Sequence, residues 1–141
     1  MNSEFTIAVH SLVFLAYLPE RMASSETIAD NVCTHAARVR KIMGCLRRAG
    51  IVETREGTRG GYRMVAAPQT VSLGAIYRVM AGGSLTPSWC SGSPDMDCVV
   101  SSNMQEVMHN IFGAAEKHLE AYFGQITIAD VLAQIHECQD C

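Results

Sequence analysis

Eight cationic side chains lie within residues 33–66: Arg38, Arg40, Lys41, Arg47, Arg48, Arg55, Arg59 and Arg63. Only Glu53 and Glu56 oppose them, which leaves a local net charge of +6. Such a block is the electrostatic footprint of a polyanion partner, because summed cation fields concentrate phosphates at the surface. The plainer alternative is a solvated helix face. The net charge of the whole chain, −3, hides a split. Residues 1–80 hold ten Lys and Arg against six Asp and Glu, a net +4, whereas residues 81–141 hold Lys117 against eight acids, a net −7.

The second chemistry is that of six cysteines. With no export signal expected, since Glu4 stands where such a signal wants a cation, the thiols read as buried, metal-binding or redox-active. Cys45 falls between apolar Ile42 and Leu46 and is expected to be a small buried hydrophobe, and Cys33 is expected to pack within a turn. Cys90 and Cys98 share a loop with seven residues between them, so a disulfide is accessible if their Cβ atoms meet. Cys98 also opens a long helical pattern, and a helix N-terminus lowers a thiol's pKa, with Asp95 and Asp97 acting in the opposite sense. The tail carries His136, Cys138 and Cys141, at the spacing of a chelate or a dithiol, or simply of a frayed terminus. Redox or metal candidates are therefore Cys90, Cys98, His136, Cys138 and Cys141. His10, His109 and His118 are read as structural members of amphipathic helices.

The elements that must position these groups follow from pattern. The length, 141 residues, is about one domain's worth, and 48% hydrophobic residues with 18% charged exclude a disordered polar chain. No apolar run reaches the ~20 residues of a membrane span. Residues 2–18 read as a helix, capped by Ser3 and stopped by Pro19. Ser24 caps a short helix over 25–32, and Thr34 caps a third helix to about residue 49, with Gly50 at its C′ position. The third helix buries Val39, Ile42, Met43 and Leu46 and exposes His35, Arg38, Lys41 and Arg48. Two short strands, 51–55 and 62–66, flank a glycine-bearing hairpin tip. Ser72 caps a fourth helix, and residues 82–97 form a long loop holding the only tryptophan, Trp89. The longest helix spans 99–123 with an apolar stripe, of which Met104, Met108, Ile111, Ala115, Leu119 and Tyr122 are the candidate dimer interface. Thr127 with Asp130 starts a last helix to about residue 137.

Helix, short helix, turn, basic helix and hairpin is the order of a winged helix-turn-helix. The predicted fold class is mainly α with a small β-hairpin wing and a long C-terminal dimerisation helix. The predicted organisation is a DNA-binding domain over 1–80, a sensor loop over 81–98, and a dimerisation helix with a C-terminal helix over 99–141. A helix fits the major groove, where Arg grips guanine bidentately and Lys meets phosphate, and Arg59 at the wing tip can enter a narrow minor groove. The candidate DNA-contacting residues are Ser25, Thr34, His35, Arg38, Arg40, Lys41, Arg48, Arg59, Gly60, Gly61 and Tyr62.

Several stretches carry a family resemblance. Ser24-Ser25-Glu26-Thr27-Ile28-Ala29, Val39-Arg40-Lys41-Ile42, Leu46-Arg47-Arg48-Ala49-Gly50-Ile51-Val52 and Gly57-Thr58-Arg59-Gly60-Gly61-Tyr62 resemble the Rrf-two family of bacterial winged-helix transcription regulators. Val71-Ser72-Leu73-Gly74-Ala75-Ile76-Tyr77 and Cys98-Val99-Val100 extend the similarity to nearly the whole chain. The resemblance implies a homodimer built by the long helix, binding a palindromic operator in double-stranded DNA and usually repressing. Relatives sense iron–sulphur status, nitric oxide or cysteine supply, and the cluster-binding members place three cysteines in the loop before the long helix. Here that loop has Cys90 and Cys98, and Ser101 stands where some relatives have a ligand histidine. No cofactor is assigned, with a 2Fe–2S cluster or zinc as the candidates.

The expected function is a cytoplasmic, sequence-specific repressor with a cysteine- or metal-based switch and no membrane partner. A winged-helix adaptor without DNA binding is the competing class. No Ser/His/Asp set, phosphate loop or paired carboxylates support an enzyme.

Overall fold

The structure, a computed structural model, describes residues 3–139. Helix α1 (Ser3–Tyr17) is followed by a two-residue strand β1 (Met22–Ala23), then α2 (Ser25–Val32) and α3 (Ala36–Arg48). The wing is β2 (Val52–Arg55) and β3 (Gly61–Met64). A 3-10 turn at Pro68–Thr70 leads to α4 (Leu73–Met80), α5 (Val99–Gly124) and α6 (Ile128–Gln139).

Local chemistry sets most of the boundaries. The Ser24 hydroxyl accepts the Thr27 N–H at 3.1 Å and the Ser72 hydroxyl accepts the Ala75 N–H at 3.1 Å. These bonds satisfy N–H groups that a helix start leaves without partners. Thr127 and Asp130 form a reciprocal box, with Thr127 N donating to Asp130 Oδ2 at 2.9 Å and Asp130 N to Thr127 Oγ1 at 3.1 Å. Helix α3 ends in a full Schellman motif. Gly50 has a φ of +78°, its N–H donates to Arg47 O at 2.9 Å, and Ile51 N–H donates to Leu46 O at 3.0 Å.

Some expectations are corrected. Ser3 lies inside α1 rather than capping it, and its hydroxyl accepts a hydrogen bond from Arg38 Nη2. The N-cap of α3 is His35, not Thr34, and its side chain makes no cap bond. Thr34 instead spends its N–H on Ala29 O at 3.0 Å, closing the end of α2. Strand β1, absent from the sequence reading, makes the wing a three-stranded antiparallel sheet in the order β1-β3-β2. Its register is Met22 opposite Arg63 and Ala23 opposite Tyr62. Gly61 is what permits this: a Cβ there would stand 2.3 Å from Ala23 O. Cys33 does not pack; it is exposed and holds the left-handed C-cap of α2 at φ 65°, ψ 49°. Cys45 is half-buried rather than buried, accepting from Arg48 Nη2 at 3.4 Å.

The core gathers the inner faces of α1 to α4 with Val52 and Met64 of the wing and Ile128 of α6. Three rings tie it to the long helix. Phe5 of α1 stacks on Phe123 of α5 with centroids 5.1 Å apart, and Tyr77 of α4 meets Phe5 and Phe123 edge-on, each at 5.7 Å. Such pairs add to what burial alone contributes. Gly74 brings α4 against α5, for its Cβ would sit 2.9 Å from the backbone N of Gly124. Helix α5 itself has no fully buried residue.

Candidate nucleic-acid interface and sensor loop

Helix α3 has one inner and one outer face. Val39, Ile42, Met43 and Leu46 are fully buried. Steps of four, three and four place Ala37, Lys41, Gly44 and Arg48 on the opposite side, flanked by Arg38, Arg40 and Arg47. The two centremost outward residues besides the cations, Ala37 and Gly44, are the smallest available. The outer face is thus a shallow seam between cations, a shape that admits close approach to a duplex. Arg47 and Arg48 occupy the last turn, where the helix dipole favours positive charge.

The cations differ in what holds them. Lys41 Nζ pairs with Glu4 Oε1 of α1 at 2.8 Å, and this partner holds its ammonium pKa above the ordinary lysine range. Arg40 pairs with Glu26 at 3.6 Å and donates to Ser25 Oγ at 3.3 Å. The Glu26 carboxyl lies below its ordinary range because it accepts its own backbone N–H in the first turn of α2, then the Ser25 hydroxyl, with Arg40 adding to the effect. On the wing, Arg55 and Arg63 share Glu53 at 3.5 and 3.3 Å. Among the described residues no acidic side chain lies within 4.0 Å of Arg38, Arg47, Arg48 or Arg59.

The sequence-derived set is therefore brought together in part. His35, Arg38, Arg40, Lys41, Arg48 and Arg59 are exposed. Gly60 forms the tight wing tip, where a Cβ would meet Arg55 O at 2.3 Å. Tyr62 and Thr34 are half-buried, with Tyr62 packed against the core. Ser25 is buried and faces Arg40 rather than solvent. The sequence reading missed Ser3 and Glu4, which reach across from α1 to Arg38 and Lys41. The only local signal was Glu4, the one acid of that helix, in its first turn.

The long loop docks on the start of α5. Ser93 N–H donates to Ser101 O at 3.2 Å and Gln105 Nε2 to Gly92 O at 2.8 Å. A Cβ at Gly92 would stand 2.5 Å from Ser101 O, so glycine is required there. At the loop's other end Gly83 N–H donates to Glu116 Oε1 at 2.6 Å, and Tyr77 OH meets Ser84 Oγ at 3.1 Å. Burial pushes the Tyr77 phenol above its ordinary pKa. Cys98 is the N-cap residue of α5, and the backbone N–H groups of Ser101 and Val100 hold its thiol below the ordinary range.

Cys90 and Cys98 are both exposed free thiols. Ser101, engaged by Ser93, acts as a latch for the loop. No group of three His, Cys, Asp or Glu able to hold a metal occurs among the described residues. The donor set described here therefore does not fit an iron–sulphur cluster or a structural zinc. His136 and Cys138 are exposed, the His136 ring lying 6.2 Å from that of Tyr17, while Cys141 lies outside the described residues.

The candidate dimer stripe divides. Val100, Val107, Met108, Ile111, Ala115 and Tyr122 are exposed, with Ile111 at 53% and Tyr122 at 60%. Met104 is half-buried beneath the loop, and Leu119 turns inward against the core. Among the described residues no helix is long and apolar enough to cross a membrane.

Comparison with known proteins gives a consistent result. Residues 1–134 match the Rrf2 family, described as iron-dependent transcriptional regulators. YwnA of Bacillus subtilis is 26% identical, over 94% of this chain and 96% of that protein. A crystal structure of a Lactobacillus plantarum protein is 25% identical with a TM-score of 0.85, covering 96% of this chain and 91% of that one. The IscR structure from T. potens shares the fold at 24% identity and a TM-score of 0.72, covering 99% and 90%. A winged helix-turn-helix with a cation-lined third helix, matched along nearly its whole length, belongs to the Rrf2 family: the chain is a DNA-binding transcriptional regulator and not an enzyme.

Proposed function

We propose that the chain is a homodimeric repressor that reads a palindromic operator in double-stranded DNA. The outer face of α3 enters the major groove, and Arg59 at the wing tip follows the adjacent minor groove. The observation that carries this reading is α3 itself. Its inner face is sealed in the core, while its outer face offers cations around the small Ala37 and Gly44. Dimerisation is supported by the apolar stripe of α5, where Val107, Ile111 and Tyr122 stand about half exposed on a helix with no buried residue. Two α3 helices then meet half-sites about one duplex turn apart, ~34 Å. The acidic 81–141 half keeps the duplex on the winged-helix side. The switch in this reading is a thiol at Cys98, which is exposed, activated by the start of α5, and placed at the base of the loop.

Selection of bound duplexes from a random pool, with reduced and with oxidised protein, tests the proposal. The expected result is an inverted repeat bound by a dimer, with affinity changed by oxidation and restored by a thiol reductant. Enrichment of no sequence, or full binding after Arg38, Lys41 and Arg59 are all replaced by Ala, overturns the reader. Oxidation without effect on affinity overturns the switch.

A further inference from the structure

The sensor loop and α5 enclose a cavity of about 300 Å3 whose walls include Trp89, Cys90, Met104, Met108, His109 and Phe112. We propose that this cavity binds a soft monovalent d10 cation, Cu(I), through the Cys90 thiolate, the Met104 and Met108 thioethers and the His109 imidazole. Thiolate and thioether donors select Cu(I), and imidazole accompanies them readily. Thioethers are poor ligands for zinc and iron, and the described residues supply no third His, Cys or carboxylate that would favour those metals. The ligand set therefore takes one loop cysteine, Cys90, and uses neither Cys98 nor the tail.

The placement follows from the helix. Met104 and Met108 are one turn apart, so both thioethers emerge on the same side, and His109 follows at the next position. Cys90 approaches from the loop, which Gln105 and Ser101 hold in place. Gln105 Nε2 donates to Gly92 O at 2.8 Å and so ties the loop to the helix beside the site. Trp89 lines the cavity beside these donors while most of its surface stays exposed. Charge also balances. On binding, the Cys90 thiol releases its proton to solvent as the S–Cu bond forms, no electron moves, and a thiolate with one Cu(I) is neutral overall. A neutral complex is what an apolar wall tolerates.

Trp89 is the only tryptophan, so its emission reports on the cavity directly. The full-length reduced protein is titrated anaerobically with Cu(I) against a chromogenic Cu(I) chelator, with Ag(I) as a redox-inert probe and Zn(II) as the contrast. The expected result is one Cu(I) or Ag(I) per chain, a stoichiometric change in Trp89 emission, and no such change with Zn(II). The double variant Met104→Leu/Met108→Leu keeps the wall apolar and its volume nearly constant, yet is expected to bind Cu(I) at least tenfold more weakly, as is His109→Asn. Cys98→Ser is expected to bind as the parent does. Unaltered affinity in the double methionine variant overturns the proposal. So does a stoichiometric site that vanishes in Cys138→Ser/Cys141→Ser, or Zn(II) displacing Cu(I). No readout involves DNA, so this test stands apart from that of the operator reading.

Discussion

Replacing Arg48 by Ala should change how DNA binding responds to salt by an amount the ion-pair geometry predicts. Among the described residues, four of the eight cations on the third helix and wing, Arg38, Arg47, Arg48 and Arg59, have no acidic side chain within 4.0 Å. Each can neutralise a phosphate and release a counterion, contributing about −0.9 to the slope of log affinity against log salt. Of the other four, Arg40 and Lys41 each exchange a carboxylate for a phosphate, and Arg55 and Arg63 exchange the one they share, so the four unpaired guanidiniums set the minimum slope. The slope is then about −3.6 per protomer and about −7 for a dimer, so raising salt from ~50 to ~200 mM should weaken binding by about four powers of ten. Arg48→Ala in both protomers removes about 1.8 from the slope and reduces that loss by about twelvefold. Fluorescence anisotropy on a selected operator across a salt series measures it, with circular dichroism showing that the fold is retained. Arg40→Ala, whose guanidinium already pairs with Glu26, should alter the slope less. If Arg48→Ala leaves the slope intact while Arg40→Ala removes nearly two units, unpaired charge is not what counts and the reasoning is wrong.

Three further outcomes are expected. Glu4→Gln releases Lys41 from its carboxylate partner and should tighten operator binding severalfold at fixed salt; unchanged or weaker binding in the same anisotropy assay would show that the ion pair does not restrain the reader. Cys33→Gly removes an exposed side chain from a left-handed position where it makes only a long hydrogen bond to Asp30 O at 3.7 Å, and should raise unfolding stability by about 1 kcal/mol, read as a higher urea midpoint at constant m-value. Cys98 should alkylate fastest among the exposed thiols, with a pH midpoint below the ~8.5 of a free cysteine because two backbone N–H groups favour its thiolate; peptide mapping after brief iodoacetamide treatment at graded pH decides it.

Much of this architecture was legible in the sequence where a local rule sufficed. Ser24, Ser72, Thr127 and Asp130 cap helices as their types and spacings require, and Gly50 ends α3 in the left-handed conformation foreseen for it. What stayed hidden depends on distant partners. Strand β1 is two residues long, too short for any periodicity, and exists because β3 offers a free edge. Cys33 adopts a conformation usually left to glycine because the turn between α2 and α3 demands it, which no cysteine pattern announces. The stripe of α5 read as one face, yet Leu119 turns inward while Ile111 and Tyr122 remain outside, a division set by where α4 leans on the helix. The cation block was plain, but its pairing with Glu4 and Glu26 belongs to tertiary structure.

The way α5 is anchored has a mechanical consequence. Its contacts with the rest of the fold gather between Glu116 and Gly124, through Gly83, Gly74 and the ring cluster on Phe123. From Val99 to Ala115 it is a cantilever, about 24 Å long at ~1.5 Å per residue, with only the loop laid along it. A ligand or an oxidised thiol at the free end touches nothing in the DNA-reading core. It should therefore leave the thermal stability of an isolated protomer's winged helix almost untouched. In the proposed dimer its effect reaches an operator only where a second chain grips the same beam, so on that proposal deafness to the signal is the expected behaviour of any variant that cannot pair.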